Sequence, residues 1–248
     1  MEQSLELICD DKLKRVLDKM SHINPTLLRK IDCVESLVQE CGLVMATPEI
    51  YGDDQKHLNP LMRGLWQIPR QLAAFAVFLS NHKIESFLEV GTFTGGTFTF
   101  LMGYLTRFNP HLVGITIDPW NANPPTHLWN GRFRGRYVVA SSRDFAAQSF
   151  DLCLIDGFHS FDAVTEDYLN VGRYSRICGF HDINDQLVEE WPNHNGGVVR
   201  FWRQLREEQK GREFHEFLFH SHGARVMGIG VIVHNYNIAN NSIAVVKI

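Results

Sequence analysis

The stretch Ile84-Glu85-Ser86-Phe87-Leu88-Glu89-Val90-Gly91-Thr92-Phe93-Thr94-Gly95-Gly96-Thr97 decides how the rest of the chain is read. An apolar run ends in a carboxylate, passes through three glycines and restarts as a helix. Glycines let a backbone turn tightly and approach a ligand, and the helix start that follows offers free N–H groups. Such a strand, turn and helix belong to nucleotide-binding α/β folds. The spacing is E-x-G-x-x-x-G, with Phe93 standing where the second glycine of a G-x-G-x-x-G dinucleotide turn would be. No glycine is present where a pyrophosphate must press on the backbone. A ligand with a nucleoside but no phosphate fits better.

Outward from this turn the pattern is βαβ. A helix over 68–79 leads into the strand at 84–90, and a helix over 97–105 follows the glycines. Further strands are predicted at 112–117, 137–140, 150–155 and 177–180, ending at Asp118, Ser141-Ser142, Asp156 and His181-Asp182. An amphipathic helix with Val198, Val199, Phe201, Trp202 and Leu205 comes next, and strand-like stretches at 214–219, 226–233 and 243–247 close the chain. Uninterrupted apolar runs joined by helices imply a mostly parallel sheet buried on both faces. No internal repeat or low-complexity segment interrupts it.

Residues 1–66 read differently. Leu5, Ile8, Leu13, Val16, Leu17 and Met20 recur at helical spacing. After the cap Asn24-Pro25, so do Leu28, Ile31, Val34, Leu37, Val38 and Cys41, with Gly42 as the stop. Residues 43–66 have no clear period. The chain thus divides into an N-terminal helical extension at 1–66, either a structural appendage or a lid that excludes water, and a ligand-binding domain at 67–248.

Composition bounds the function. At 248 residues, 44% hydrophobic and 21% charged, the chain suits one well-buried domain with an appendage. A net charge of −4 supplies no basic footprint for nucleic acid. No signal-peptide pattern and no apolar run of membrane-spanning length is visible. Five scattered cysteines without a C-x-x-C pair suit a reducing cytoplasm and argue against a disulfide framework or a zinc site.

Four strands end in Glu89, Asp118, Asp156 and His181-Asp182. In an open α/β sheet these ends form the ligand rim, where clustered carboxylates repel one another unless a cation or a donor-rich ligand sits among them. Asp118 lies 22 residues beyond Gly96, near the spacing at which a carboxylate accepts both ribose hydroxyls. Trp120 either covers an adenine face or packs its loop. S-adenosylmethionine is the nucleoside ligand that these features suggest.

The segments Leu88-Glu89-Val90-Gly91-Thr92-Phe93-Thr94-Gly95, Ile117-Asp118 and Leu154-Ile155-Asp156-Gly157-Phe158-His159-Ser160-Phe161 together resemble the motifs of class I S-adenosylmethionine-dependent methyltransferases. With Gly179-Phe180-His181-Asp182-Ile183 and Gly197-Val198-Val199-Arg200-Phe201-Trp202, they resemble more narrowly methyltransferase family 24, the branch of cephalosporin-biosynthesis and sugar or macrolide O-methyltransferases. The likeness spans about 67–235. It implies a Rossmann-like, seven-stranded, mostly parallel sheet with helices on both faces. It further implies that Glu89, Gly91 and Gly95, with Thr92 in the same turn, hold the methionine part of the cofactor, Asp118 the ribose, and the strand end at Ala140-Ser141-Ser142 the adenine edge. Gln67 falls near the cofactor carboxylate.

Macrolide-sugar relatives carry an aspartate, a histidine three residues on, and an acidic pair after the next strand. Asp156 and His159 match the first two, but His181-Asp182 replaces the pair. Magnesium could take Asp156 and Asp182, whereas a softer metal could add His181. The alternative is a metal-free hydrogen-bonded cluster. His159 is the candidate general base and Asp156 its catalytic neighbour.

The expected reaction is O-methylation of a sugar, glycoside or polyketide-type small molecule in the cytoplasm, by a chain that associates with neither nucleic acid nor membrane and is open to homo-oligomerisation. Its rivals are a catalytically silent cofactor-binding module and a nicotinamide-dependent oxidoreductase. A hydroxylase is discounted because no iron facial triad is present. Three further candidates carry an open choice. The 119–135 loop, with Trp120, Trp129, Phe133, Arg132, Arg134 and the adjoining Arg136, forms either a surface that recognises an anionic or sugar-bearing substrate or a solvated basic loop. His194-Asn195-Gly196-Gly197 either lines the acceptor pocket or simply connects. His220 and His222 read as surface histidines.

Overall fold

A computed structural model describes residues 2–42, 65–120, 122–218 and 225–234. The expected strand at 243–247, His220, His222 and most of 43–66 lie outside them. The extension forms α1 (Glu2–His22), α2 (Pro25–Leu28) and α3 (Ile31–Cys41), and α4 (Pro69–Leu79) leads into the sheet. Then follow β1 (Ser86–Val90), α5 (Gly96–Leu105), β2 (Val113–Asp118), β3 (Arg134–Val139), β4 (Leu152–Ile155), α6 (Phe161–Asn170), β5 (Ile177–His181), α7 (Gln186–Glu190), α8 (Gly197–Glu208), β6 (Glu213–Phe217) and β7 (Ile229–Val233). The seven strands lie in the order β3-β2-β1-β4-β5-β7-β6, and β7 alone runs antiparallel to its neighbours.

Alternation along each strand builds two apolar layers. Phe87, Leu152 and Leu154 face α4, α5 and the extension, whereas Leu88, Val90, Cys153 and Ile155 face α6 and α8. On the first side α5 approaches β2 so closely that a Cβ at Gly114 would stand 2.3 Å from Met102 Sδ. Leu13, Val16, Leu17, Met20, Val34, Leu37 and Val38 of the extension belong to that same core, which anchors α1 and α3.

The single helix expected over 25–41 is interrupted. Asn24 caps it as read, its side chain accepting the Thr26 N–H, but the Leu28 carbonyl turns to accept the Tyr104 hydroxyl at 2.6 Å. β3 begins earlier than the apolar pattern suggested. As an edge strand it carries Arg134 and Arg136 on its open surface, where solvation costs little.

Candidate active site

The carboxyl ends of β1, β2, β4 and β5, with the segment that follows β3, converge on one cavity of about 470 Å³. Its floor is the glycine turn. Gly91 adopts φ +98°, and a Cβ there would lie 2.0 Å from the Asp156 backbone oxygen, so β1 and β4 touch through backbone alone. Phe93 also has a left-handed φ of 47°, and its half-exposed ring meets Trp66 edge-on at 5.5 Å. A strained non-glycine residue at this position marks a site.

Asp118 ties the turn to the rim. Its Oδ2 accepts the N–H groups of Thr92 and Phe93, each at 3.1 Å, and its Oδ1 accepts that of Trp120 at 2.9 Å. Trp120 is 81% exposed, its indole free to meet a ligand. Glu89 is fully buried and accepts the Thr116 hydroxyl at 2.6 Å. Burial drives its pKa well up, Asp156 and Asp118 add to that, and Thr116 only partly offsets them.

At the other end of the rim, Asp156, His159, His181 and Asp182 form one network. His181 Nδ1 lies 3.2 Å from both Asp156 Oδ1 and Asp182 Oδ1, and His159 Nε2 lies 3.3 Å from Asp182 Oδ2 and 3.8 Å from Asp156 Oδ1. Burial pushes the pKa of both histidines down, but the two carboxylates outweigh it, raising His159 and taking His181 well above the ordinary range. Burial would raise Asp156, yet the two histidines lower it overall. Asp182 itself has φ +61°. Gln67 Nε2 donates to Asp156 Oδ2 at 3.4 Å.

The metal question turns on the same residues. One donor atom from each of Asp156, His181 and Asp182 falls within 4.8 Å of the others, and His181 Nε2 is buried without a partner. Two carboxylates and an imidazole so gathered fit a divalent ion.

Glu89, Gly91, Thr92, Asp118, Trp120, Ser142, Asp156, His159, His181 and Asp182 all line the cavity. Gly95 does not line it. It starts α5 with φ +72°, beneath Pro124, whose Cβ would stand 2.4 Å from a Cβ there. The basic loop dissolves as a unit: Arg132 pairs with Asp18 at 2.7 Å, Trp129 is buried, and Arg134 and Arg136 belong to β3. His194 is buried between Phe158 and Trp191, at ring distances of 5.2 and 4.7 Å. Its connector presses on the site from behind, since a Cβ at Gly197 would stand 2.7 Å from the His159 carbonyl oxygen.

Trp66, Phe158, Glu166 and Asp167 line the cavity without having been assigned from sequence. Phe158 sits inside the quoted D-G-x-H segment, which could have flagged it.

Comparison with solved structures finds the O-methyltransferase from Bacillus cereus in complex with SAH at a TM-score of 0.50 and 14% identity, covering 86% of this chain and 93% of that one. The chain has the methyltransferase fold. The O-methyltransferase TomG from Streptomyces achromogenes, involved in tomaymycin synthesis and solved with SAM, is similar at a TM-score of 0.48 and 13% identity, over 70% of this chain and 83% of that one. No protein-family model and no curated protein matches the sequence. Among the described residues of this methyltransferase fold, no helix is long and apolar enough to cross a membrane.

Proposed function

We propose that the chain is an S-adenosylmethionine-dependent O-methyltransferase, of the family 24 kind, that methylates a hydroxyl of a sugar, glycoside or polyketide-type small molecule. The observation that carries this reading is that His159, its side chain 32% exposed, hangs at the edge of the same cavity that Glu89, Asp118 and Ser142 line. A candidate base and a candidate nucleoside site thus share one space.

S-adenosylmethionine supplies an electrophilic methyl on a sulfonium. Asp118 would accept the ribose hydroxyls, Trp120 would cover the adenine, and the buried Glu89 carboxylate would receive the ammonium of the methionine part. No Lys or Arg fills that role for Glu89 among the described residues. A neutral His159 donates its Nε2–H to Asp182 Oδ2, so that Nδ1 would take the acceptor's proton while the oxygen takes the methyl and the electron pair of the broken C–S bond stays on sulfur. The imidazolium then formed lies against two carboxylates, which stabilise it. His181 fixes those carboxylates from below. A divalent ion held by Asp156 and Asp182, with His181 joining for a softer metal, would lower the pKa of the acceptor hydroxyl. Most of the acceleration comes from holding the acceptor in line with the methyl carbon.

Two features support the acceptor class. Phe158, 69% exposed, and Trp191, 56% exposed, flank His194 beside His159. Such rings pack on the apolar face of a sugar or on a planar polyketide. Among the described residues of 1–66, Trp66 lines the cavity, whereas α1 and α3 are fixed in the core.

Calorimetric titration with S-adenosylhomocysteine, with and without magnesium and against NADH, tests the proposal. Micromolar binding of the first alone supports it, and a magnesium effect assigns Asp156 and Asp182 to a metal. Binding of NADH alone, or of neither, refutes it.

A further inference from the structure

Beside the cavity mouth the protein leaves large apolar side chains open to solvent. Phe158 lines the cavity and is 69% exposed, and Trp191, at the end of α7, is 56% exposed. Leu187, one turn earlier on that helix, is 73% exposed. Apolar groups left open beside a cavity mark a surface that a ligand covers.

Between the two rings stands His194. Its imidazole meets Phe158 at 5.2 Å and stacks on Trp191 at 4.7 Å, with 26° between the planes. The residue is only 7% exposed, and its Nδ1 is buried with no hydrogen-bond partner among the described residues. An unpaired buried polar atom costs free energy, so this imidazole serves as a flat plate more than as a donor or acceptor. Its backbone groups are spent within the protein. The His194 N–H donates to the Trp191 carbonyl at 3.1 Å, and its own carbonyl accepts the N–H groups of Phe161 at 3.0 Å and Gly197 at 2.8 Å. Asn193 and Asn195, on either side, hold left-handed φ values of 69° and 52°. Strain of that kind persists where the surroundings over-determine it, often at binding sites.

The row of rings is therefore rigid, and it is tied to the candidate base. Phe158 directly precedes His159, and Gly197, bonded to His194, packs against the His159 carbonyl oxygen. Flat faces held in a fixed row are covered best by another flat apolar group. An acyl chain would touch them only along its length, and a sugar would find the hydrogen-bonding groups of His194 already taken. We infer that Phe158, His194 and Trp191 form an acceptor subsite for a planar aromatic ring system. The acceptor then lays a fused ring on Trp191 and Phe158 while its hydroxyl reaches His159. This inference rests on the methyl-transfer reading above, which places the acceptor at His159.

The test is calorimetric titration of the full chain, first with S-adenosylhomocysteine and then, with that compound bound, with 2-naphthol or decahydro-2-naphthol. The two alcohols share a carbon skeleton and a hydroxyl, but only the first is planar. Both are titrated into the wild type, Trp191→Ala and Phe158→Ala, with circular dichroism to check folding. The wild type is expected to bind 2-naphthol at least fivefold more tightly than its saturated analogue. Trp191→Ala should lose about fivefold to tenfold in 2-naphthol affinity, the worth of one aromatic contact, and less than twofold in affinity for the analogue. Phe158→Ala should narrow the preference too, and carries the test should Trp191→Ala fail to fold. Equal binding of the two alcohols, binding of neither, tighter binding of the saturated one, or folded variants that keep the wild-type preference each overturn the subsite. A chain that shows the planar preference but does not bind S-adenosylhomocysteine keeps the aromatic subsite and loses the methyl-transfer reading, so the two failures are distinct.

Discussion

The backbone oxygen of Asp156 occupies the space into which any side chain at Gly91 would project, 2.0 Å from its Cβ position. The ends of β1 and β4 are thereby pinned together, and Asp156 is held over the glycine turn. Gly91→Ala must push this contact apart and also hold alanine at φ +98°. Overpacking and strain together cost about 3 kcal/mol or more. Gly131→Ala is the control, since it has φ +74° but nothing within 4 Å. It should cost only about 1 kcal/mol. Thermal melts of the two variants, with cofactor titration of any that folds, separate the strain of a positive φ from the close approach that builds the site.

Two tryptophans of one loop should behave in opposite ways. Trp120 is 81% exposed at the cavity, whereas Trp129 is buried against Phe98 and donates its indole N–H to Thr99 Oγ1 at 2.8 Å. Stacking of one base on an aromatic ring contributes about 1–3 kcal/mol. Trp120→Ala should therefore weaken S-adenosylhomocysteine binding roughly 5- to 100-fold with an unchanged melting temperature. Trp129→Ala should instead destabilise the fold by about 3–5 kcal/mol. If Trp120→Ala binds as the wild type does, Trp120 only packs its loop.

His159→Ala should lower turnover about 10²- to 10⁴-fold, the usual worth of a positioned general base. Cofactor affinity should change less than threefold, because Asp118, Glu89 and Ser142 remain. Single-turnover rates beside calorimetry read the two quantities separately. Equal turnover in the variant removes His159 from the chemistry and favours a cofactor-binding module without catalysis.

What the sequence made legible follows from local physics. Uninterrupted apolar runs on β1, β4 and β5, each ending in an ionisable residue, gave both the sheet and its rim, and the glycine turn marked the floor. What escaped depends on contacts distant in sequence. The break after Leu28 comes from Tyr104, 76 residues on. Apolar-run reading could not find the start of β3, because an edge strand tolerates Arg134 and Arg136. Nor could it sort Trp120 from Trp129, which differ only in the direction each faces. Asp167 lies on α6, outside every motif that the sequence offered. Only folding brings it to Ser142 and the cavity.

That placement has a measurable effect on stability. A carboxyl whose pKa is about 6 in the folded chain and near 3.8 when exposed is harder to ionise folded than unfolded. The folded state is therefore penalised once the group ionises. The penalty is absent below about pH 4, grows as pH rises towards 6, and is complete above it. Asp167→Asn removes the charge and should stabilise the chain by about 1–3 kcal/mol at pH 7.5, the lower figure allowing for partial exposure. Near pH 4 the variant and the wild type should melt together. Urea titrations at the two pH values measure the difference. A gain of equal size at both would mean that packing, not the charge, is what changed. Stabilisation at pH 7.5 together with weaker cofactor binding would show that this carboxylate is kept at the cavity wall for its ligand, at a cost to the fold.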